Sequence, residues 1–264
     1  MEQRLDTLLR PAFPTGTEFQ FYNVAAAGHT SADNLQKYKL LTDQRFDLVI
    51  YYEAINENRA NNIPAEFFRS DYSHMKWYND LNLLLSHTEI NITVLPYVVH
   101  LISQRIGDKW SGKVYIDHEN VDMVYKKYGG NIKTASSFRN NLAGIIELAQ
   151  HRDEKLLLLS YASYFPEGVA LTGEEADMQH FAGCNYASPV SIWGEAEYVA
   201  KGIQVHNNEL RKLVTQYHPF YLDLEKKMPR EPSFFCDVCH LNEPGAQYFS
   251  RQLAEHIIDQ GLLK

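Results

Sequence analysis

The chain has 264 residues, 45% of them hydrophobic and 22% charged, which is enough apolar side chain to build the core of one substantial α/β domain spanning residues 1–264. Its formal charge of -8 argues against a nucleic-acid partner, because such binding rests on Lys and Arg neutralising phosphates. No apolar run approaches the roughly 20 residues of a membrane span, and Met1-Glu2-Gln3-Arg4 is too polar to open a signal peptide. The chain as written therefore reads as soluble, and any export signal or anchor is expected upstream of Met1.

In chain order, Leu5, Leu8 and Leu9 mark a short amphipathic helix over residues 1–11, stopped by Pro11. Phe19 to Ala26 predicts a strand running into a turn at Ala27-Gly28-His29-Thr30. Thr30 or Ser31 can cap a helix containing Leu35, Tyr38, Leu40 and Leu41. Phe46 to Tyr52 then predicts a strand buried on both faces, so that strand, helix and strand form a parallel crossover unit. Residues 54–72 are polar and Asn-rich, as in a long loop after a strand end, and Arg59, Asn61 and Asn62 read there as a solvated surface that could bind a polar substrate.

Helical patterning follows over 73–88 and 94–106, and the mixed stretch 107–133 reads as a lid or insertion, with a plain surface excursion as its rival. A helix over 134–152 precedes the buried strand Leu156–Ser160, residues 166–192 are loop-like, and a long helix over 193–216 leads to a strand at Pro219–Leu224. The last helix covers 243–261. Alternating strands and helices point to a doubly wound, mostly parallel α/β sheet with helices on both faces, in which ligands sit outside the carboxyl ends of the strands.

Chemistry concentrates in the run Cys236-Asp237-Val238-Cys239-His240-Leu241-Asn242. An Asp that accepts the Nδ1 proton of a nearby His fixes its tautomer and stabilises the imidazolium, so the ring can act as general base toward a hydroxyl. Gly28 follows a predicted strand, where its missing side chain lets a backbone N–H approach a ligand closely. Asn56 follows the next strand, and an Asn amide is a common donor to a developing oxyanion. His29 adjoins Gly28 and is a candidate lining residue, with a hydrogen-bonded structural histidine as the equal alternative. Cys184, Cys236 and Cys239 cannot make a full disulfide set, and one C-x-x-C lacks the second ligand pair of a structural zinc site. They read as small residues flanking the Asp-x-x-His turn, with a redox or metal role as the rival.

These segments together resemble the SGNH hydrolases, the GDSL esterase and lipase family, over most of the chain. The family's second block looks like Asn23-Val24-Ala25-Ala26-Ala27-Gly28-His29-Thr30-Ser31, its third like Ala54-Ile55-Asn56-Glu57, and its fifth like Asp237-Val238-Cys239-His240-Leu241-Asn242-Glu243-Pro244-Gly245. The resemblance implies a flavodoxin-like fold and a serine-type ester hydrolase acting on a small acyl ester, such as an acetylated glycan. It makes His240 the general base, Asp237 its orienting partner, and the Gly28 N–H and Asn56 amide oxyanion donors, and it implies no metal or organic cofactor. His29 and Arg59 would contact substrate.

The pattern departs from the family in three places. Ala54 stands for a Gly, Glu57 stands for an Asp, and the first block, a Gly-Asp-Ser turn ending the first strand, is missing. By this alignment the nucleophile lies upstream of Met1 and the sheet lacks its first strand, so strand 19–26 should pair directly with strand 47–52 or another segment should fill the gap. Ser160 and Ser31 are the substitutes inside the chain, though a strand end and a helix cap are their simpler roles. If residues 1–264 are the whole natural chain, the expectation becomes a catalytically inactive binding protein of the same fold. An unrelated α/β enzyme using Asp237 and His240 as metal ligands is the third alternative.

Overall fold

The leucine-rich segment Lys155–Leu159 forms the central strand, β2. In the computed structural model, which describes residues 2–117, 122–173, 178–181, 184–185 and 187–263, β2 runs between β1 (Leu48–Tyr51) and β3 (Phe220–Leu222) and is parallel to both. Leu48 faces Lys155 and Tyr51 faces Leu158, while Leu159 faces Leu222. Side chains alternate across a strand, so Leu157 and Leu159 enter one core and Leu156 and Leu158 another.

The first core is closed by α1 (Glu2–Leu9) and α9 (Glu243–Asp259) through Leu5, Leu9, Phe249 and Leu253. The second is closed by α2 (Ser31–Leu40) and α6 (Ala135–His151) through Tyr38, Phe138, Leu142 and Ile146. The long α7 (Ala196–Tyr217) serves both, giving Val199 and Ile203 to the first and Leu210 and Leu213 to the second. The result is a mixed α/β fold with a small parallel sheet flanked by helices, which is why β2 reads as an unbroken apolar run. Among the described residues no helix is long and apolar enough to cross a membrane.

The segment from Phe19 to Ala26, expected as a strand, is irregular. Its alternation is real: Phe19 and Phe21 pack on the first core, while Tyr22 and Val24 stay exposed. What it lacks is a ladder. β1 pairs only with β2, and its other edge faces a cavity of about 650 Å³ whose far wall includes Phe21, Tyr22 and Val24. Residues 19–26 therefore do not pair with β1, and no other described segment joins the sheet there. For the same reason β1 is not buried on both faces as expected, since Ile50 is 39% exposed.

Thr30, rather than Ser31, caps α2: its hydroxyl accepts from the Ala32 N–H at 3.2 Å, and Asp33 Oδ2 accepts from the Thr30 N–H at 2.8 Å. The Asn-rich stretch after β1 is a second correction, because it is buried rather than solvated. Asn56–Asn61 forms a 3₁₀ turn in which Asn58, Arg59 and Asn61, with Asn62 after it, are at most 7% exposed.

Side-chain amides here do the work of backbone partners. Asn61 Nδ2 donates to Thr134 Oγ1 at 3.0 Å while Thr134 N–H donates back to Asn61 Oδ1 at 3.0 Å, and Asn62 Nδ2 donates to the Trp193 carbonyl at 2.9 Å. Gly202 of α7 lies against this turn, and a Cβ there would stand 1.7 Å from Asn58 Oδ1.

A third cluster, which includes Ile63, Tyr72, Met75, Tyr78 and Ile116, supports α3 (Lys76–Ser86), beside which lies α4 (Leu95–Ser111). Of the stretch 107–133, residues 118–121 lie outside the described residues; the described ones include α5 (Met123–Lys126) and none of them lines the cavity.

Two glycine substitutions should separate tight from open backbone. Gly202→Ala should lower the unfolding free energy by about 1–3 kcal/mol through overpacking. Gly107→Ala, inside α4 with nothing within 4 Å of its would-be Cβ, should raise it by about 0.5–1 kcal/mol. Denaturant midpoints at constant slope measure both.

Candidate active site

The turn before α9 is organised by one carboxylate. Asp237 Oδ1 accepts the N–H groups of Cys239 and His240, each at 2.8 Å, and Asp237 Oδ2 accepts His240 Nδ1 and the Ser188 N–H, each at 2.6 Å. The Cys236 N–H closes the turn on the His240 carbonyl at 2.7 Å. Asn242 then caps α9, accepting the Gly245 N–H at 2.9 Å, so the chain passes from turn to helix without loose backbone.

Asp237 is fully buried, while the His240 side chain is 47% exposed and borders the cavity. Burial pulls the Asp237 carboxyl upward, but the donors from His240, Cys239 and Ser188 outweigh it and leave the group below its ordinary value. The bond to Asp237 raises His240 against the opposing effect of its own burial. With Nδ1 committed, Nε2 is the nitrogen left for proton transfer.

The other candidate residues surround the same cavity. Gly28, at φ 78°, turns the chain back after residues 20–27, a left-handed conformation that suits glycine. Asn56 Nδ2 donates to the His29 carbonyl at 2.9 Å and Asn56 Oδ1 accepts Trp193 Nε1 at 3.0 Å, which fixes the amide's orientation. His29 and Arg59 also line the cavity. The structure thus brings His240, Asp237's partner ring, together with Gly28, Asn56, His29 and Arg59.

Trp193 is the residue that sequence reasoning missed. Its ring centroid is 6.0 Å from that of His240, Arg59 Cζ stands 5.9 Å from it, and its N–H holds Asn56. One indole therefore stands beside the His240 ring, the Asn56 amide and the Arg59 guanidinium. Its only signal in the sequence is a Trp-Gly pair at the start of the helix expected over 193–216, a helix that begins instead at Ala196. Ser188 was missed because its contribution is a backbone N–H.

Glu57, next to Asn56, accepts from the Ser31 N–H at 2.6 Å and from the Tyr72 hydroxyl. It is fully buried, and burial pushes its carboxyl up to about 7 despite those bonds. Its place is structural, joining the Asn56 turn to the start of α2. Ser31 is fully buried with its hydroxyl bonded by Asn141 Nδ2 at 3.0 Å. Ser160, also buried, donates to Asp223 Oδ1 at 2.8 Å. Neither hydroxyl is hydrogen-bonded to His240, and among the described residues no other hydroxyl is.

The cysteines are not merely small residues at the turn. Cys184 and Cys236 form a disulfide, which ties the segment carrying Ser188 to the turn carrying Asp237; Cys239 is a buried free thiol whose burial, together with Asp237, raises it. Asp237, Cys239 and His240 do gather ligand atoms within 4.8 Å. The carboxylate, however, already accepts four hydrogen bonds, about the capacity of its lone pairs, so the donor set fits an orienting Asp better than a metal ligand. No family model matches this chain, and no curated protein matches it.

The pair sets a pH window for stability. A raised His240 contributes stability present below its ordinary 6.5 and lost as pH rises through the folded value; a lowered Asp237 contributes stability present above 3.8 and lost as pH falls through its own. Asp237→Asn should move the His240 titration down toward or below 6.5 by NMR, whereas an unmoved titration would show the bond to be unimportant.

Reducing Cys184–Cys236, which closes a sequence separation of 52 residues, should cost up to about 4 kcal/mol on the chain-entropy model. Melting with and without reductant measures it.

Proposed function

We propose that this chain is the body of a serine-type ester hydrolase of the SGNH type, on a flavodoxin-like doubly wound sheet. The observation that carries the reading is the convergence of an Asp237-oriented His240, Gly28 and Asn56 on the one cavity that runs along β1. A seryl Oγ attacks the acyl carbonyl while His240 Nε2 takes its proton and Asp237 stabilises the imidazolium. The Gly28 N–H and Asn56 amide donate to the oxyanion; collapse expels the alcohol with the proton returned by His240, and water then releases the acid by the same route.

The cavity beside the open edge of β1 supports a nucleophile carried on a strand in that position, upstream of Met1 in the sequence. Arg59 and His29 at the cavity wall favour a small acyl ester on a polar carrier, such as an acetylated glycan. A catalytically inactive binder of the same fold is the second reading. It is favoured by the lack, among the described residues, of a hydroxyl bonded to His240.

Turnover of p-nitrophenyl acetate by the protein from its native source separates the two. The hydrolase reading expects turnover that rises with pH on a limb displaced above 6.5, as His240 deprotonates, and falls by roughly 10³-fold or more in His240→Ala. Turnover indifferent to His240→Ala, or none at all, would support the binder.

A further inference from the structure

The connection between α3 and α4 carries Asn91-Ile92-Thr93, the only Asn-x-Ser or Asn-x-Thr triplet in the chain. With a residue other than proline in the middle, this is the acceptor pattern for an N-linked glycan: the asparagine amide takes the sugar, and the hydroxyl two residues on is needed for recognition. A chain rich in asparagine meets such a triplet by chance, so its setting in the fold decides whether it can carry a sugar.

Asn91 ends a 3₁₀ turn over Thr88–Asn91, after which the Ile92 and Thr93 N–H groups both donate to the Glu89 carbonyl, at 2.8 and 2.9 Å. All three residues of the triplet are exposed, Ile92 at 90%. The Thr93 hydroxyl accepts the Leu95 N–H at 3.3 Å, and among the described residues the Asn91 side-chain amide is bonded to nothing. Asn58, Asn61, Asn62 and Asn207 are the opposite case, buried with their amides bonded inside the protein. The triplet contributes no residue to the wall of the cavity, so a sugar chain on Asn91 is attached away from the candidate active site.

The Cys184–Cys236 disulfide is a second and independent pointer. Disulfides form and persist in the secretory lumen and outside the cell, and are rare where glutathione keeps thiols reduced. N-linked sugars belong to surface loops of proteins that pass through the same lumen. The bond and the triplet share no residue and lie far apart in the sequence, yet both fit one environment.

We propose that Asn91 is an N-glycosylation site and that the chain matures in an oxidising secretory lumen. The donor is an oligosaccharide linked to a polyprenyl diphosphate. Asn91 Nδ2 attacks the anomeric carbon; the C–N bond forms as the bond from that carbon to the diphosphate oxygen breaks. The diphosphate leaves with the electron pair, and one Nδ2 proton passes to a base of the transferase. The inference is independent of whether the cavity hydrolyses esters.

Treatment of the protein from its native source with peptide N-glycosidase in oxygen-18 water, followed by peptide mass mapping, tests it. That enzyme turns a glycosylated asparagine into labelled aspartate, so label is expected at residue 91 and at no other asparagine, with the intact mass falling by one glycan. Alkylation without reductant should leave Cys184 and Cys236 unmodified. In a secretory host, Asn91→Gln and Thr93→Ala should each abolish the mass shift, and Asn91→Gln should keep the melting temperature of the deglycosylated wild type. Recovery of residue 91 as unmodified asparagine from the native protein would overturn the proposal. So would alkylation of both Cys184 and Cys236 without reductant, which would remove the oxidising compartment.

Discussion

The site depends on the buried carboxylate of Asp237. A fully buried charge is tolerated only where donors replace its hydration, and here four do so from three places: its own turn, the His240 ring and the segment around Ser188. The same four bonds fix the turn, choose the His240 tautomer and anchor a loop from elsewhere in the chain. The Cys184–Cys236 disulfide doubles that anchorage covalently at the adjacent residue. Orientation of the His240 ring and attachment of the loop are therefore one structural event rather than two.

The second constraint is the open edge of β1. Parallel strands are ordinarily enclosed, yet β1 has β2 on one edge only, and the cavity lies along residues 48–52. Trp193 lines the cavity as well, holding Asn56 with its ring tilted at 46° to that of His240. A cavity so framed has an apolar length along β1 and a polar end at Asn56, Arg59 and His240.

The strands around Leu48–Tyr51, Lys155–Leu159 and Phe220–Leu222 and the helices between them were legible in the sequence, because periodicity reports which faces are buried. The segment from Phe19 to Ala26 carries the same alternation and is not a strand, since a ladder requires a partner that alternation cannot reveal. Asn58, Asn61 and Asn62 read as surface because amides usually are; their burial depends on Thr134 and Trp193, distant in sequence. The Asp237–His240 pair was visible as a local motif, whereas Trp193, the Ser188 N–H and the disulfide partner Cys184 are long-range contacts with no local signature.

The hydrolase account turns on a serine that His240 can activate. Fluorophosphonate labelling of the protein from its native source, with the adduct mapped by mass spectrometry, tests this most directly. The account predicts a single adduct on a serine preceding residue 1, lost in His240→Ala. An adduct on Ser188, Ser160 or Ser31, or no adduct on a protein that retains esterase turnover, would contradict it.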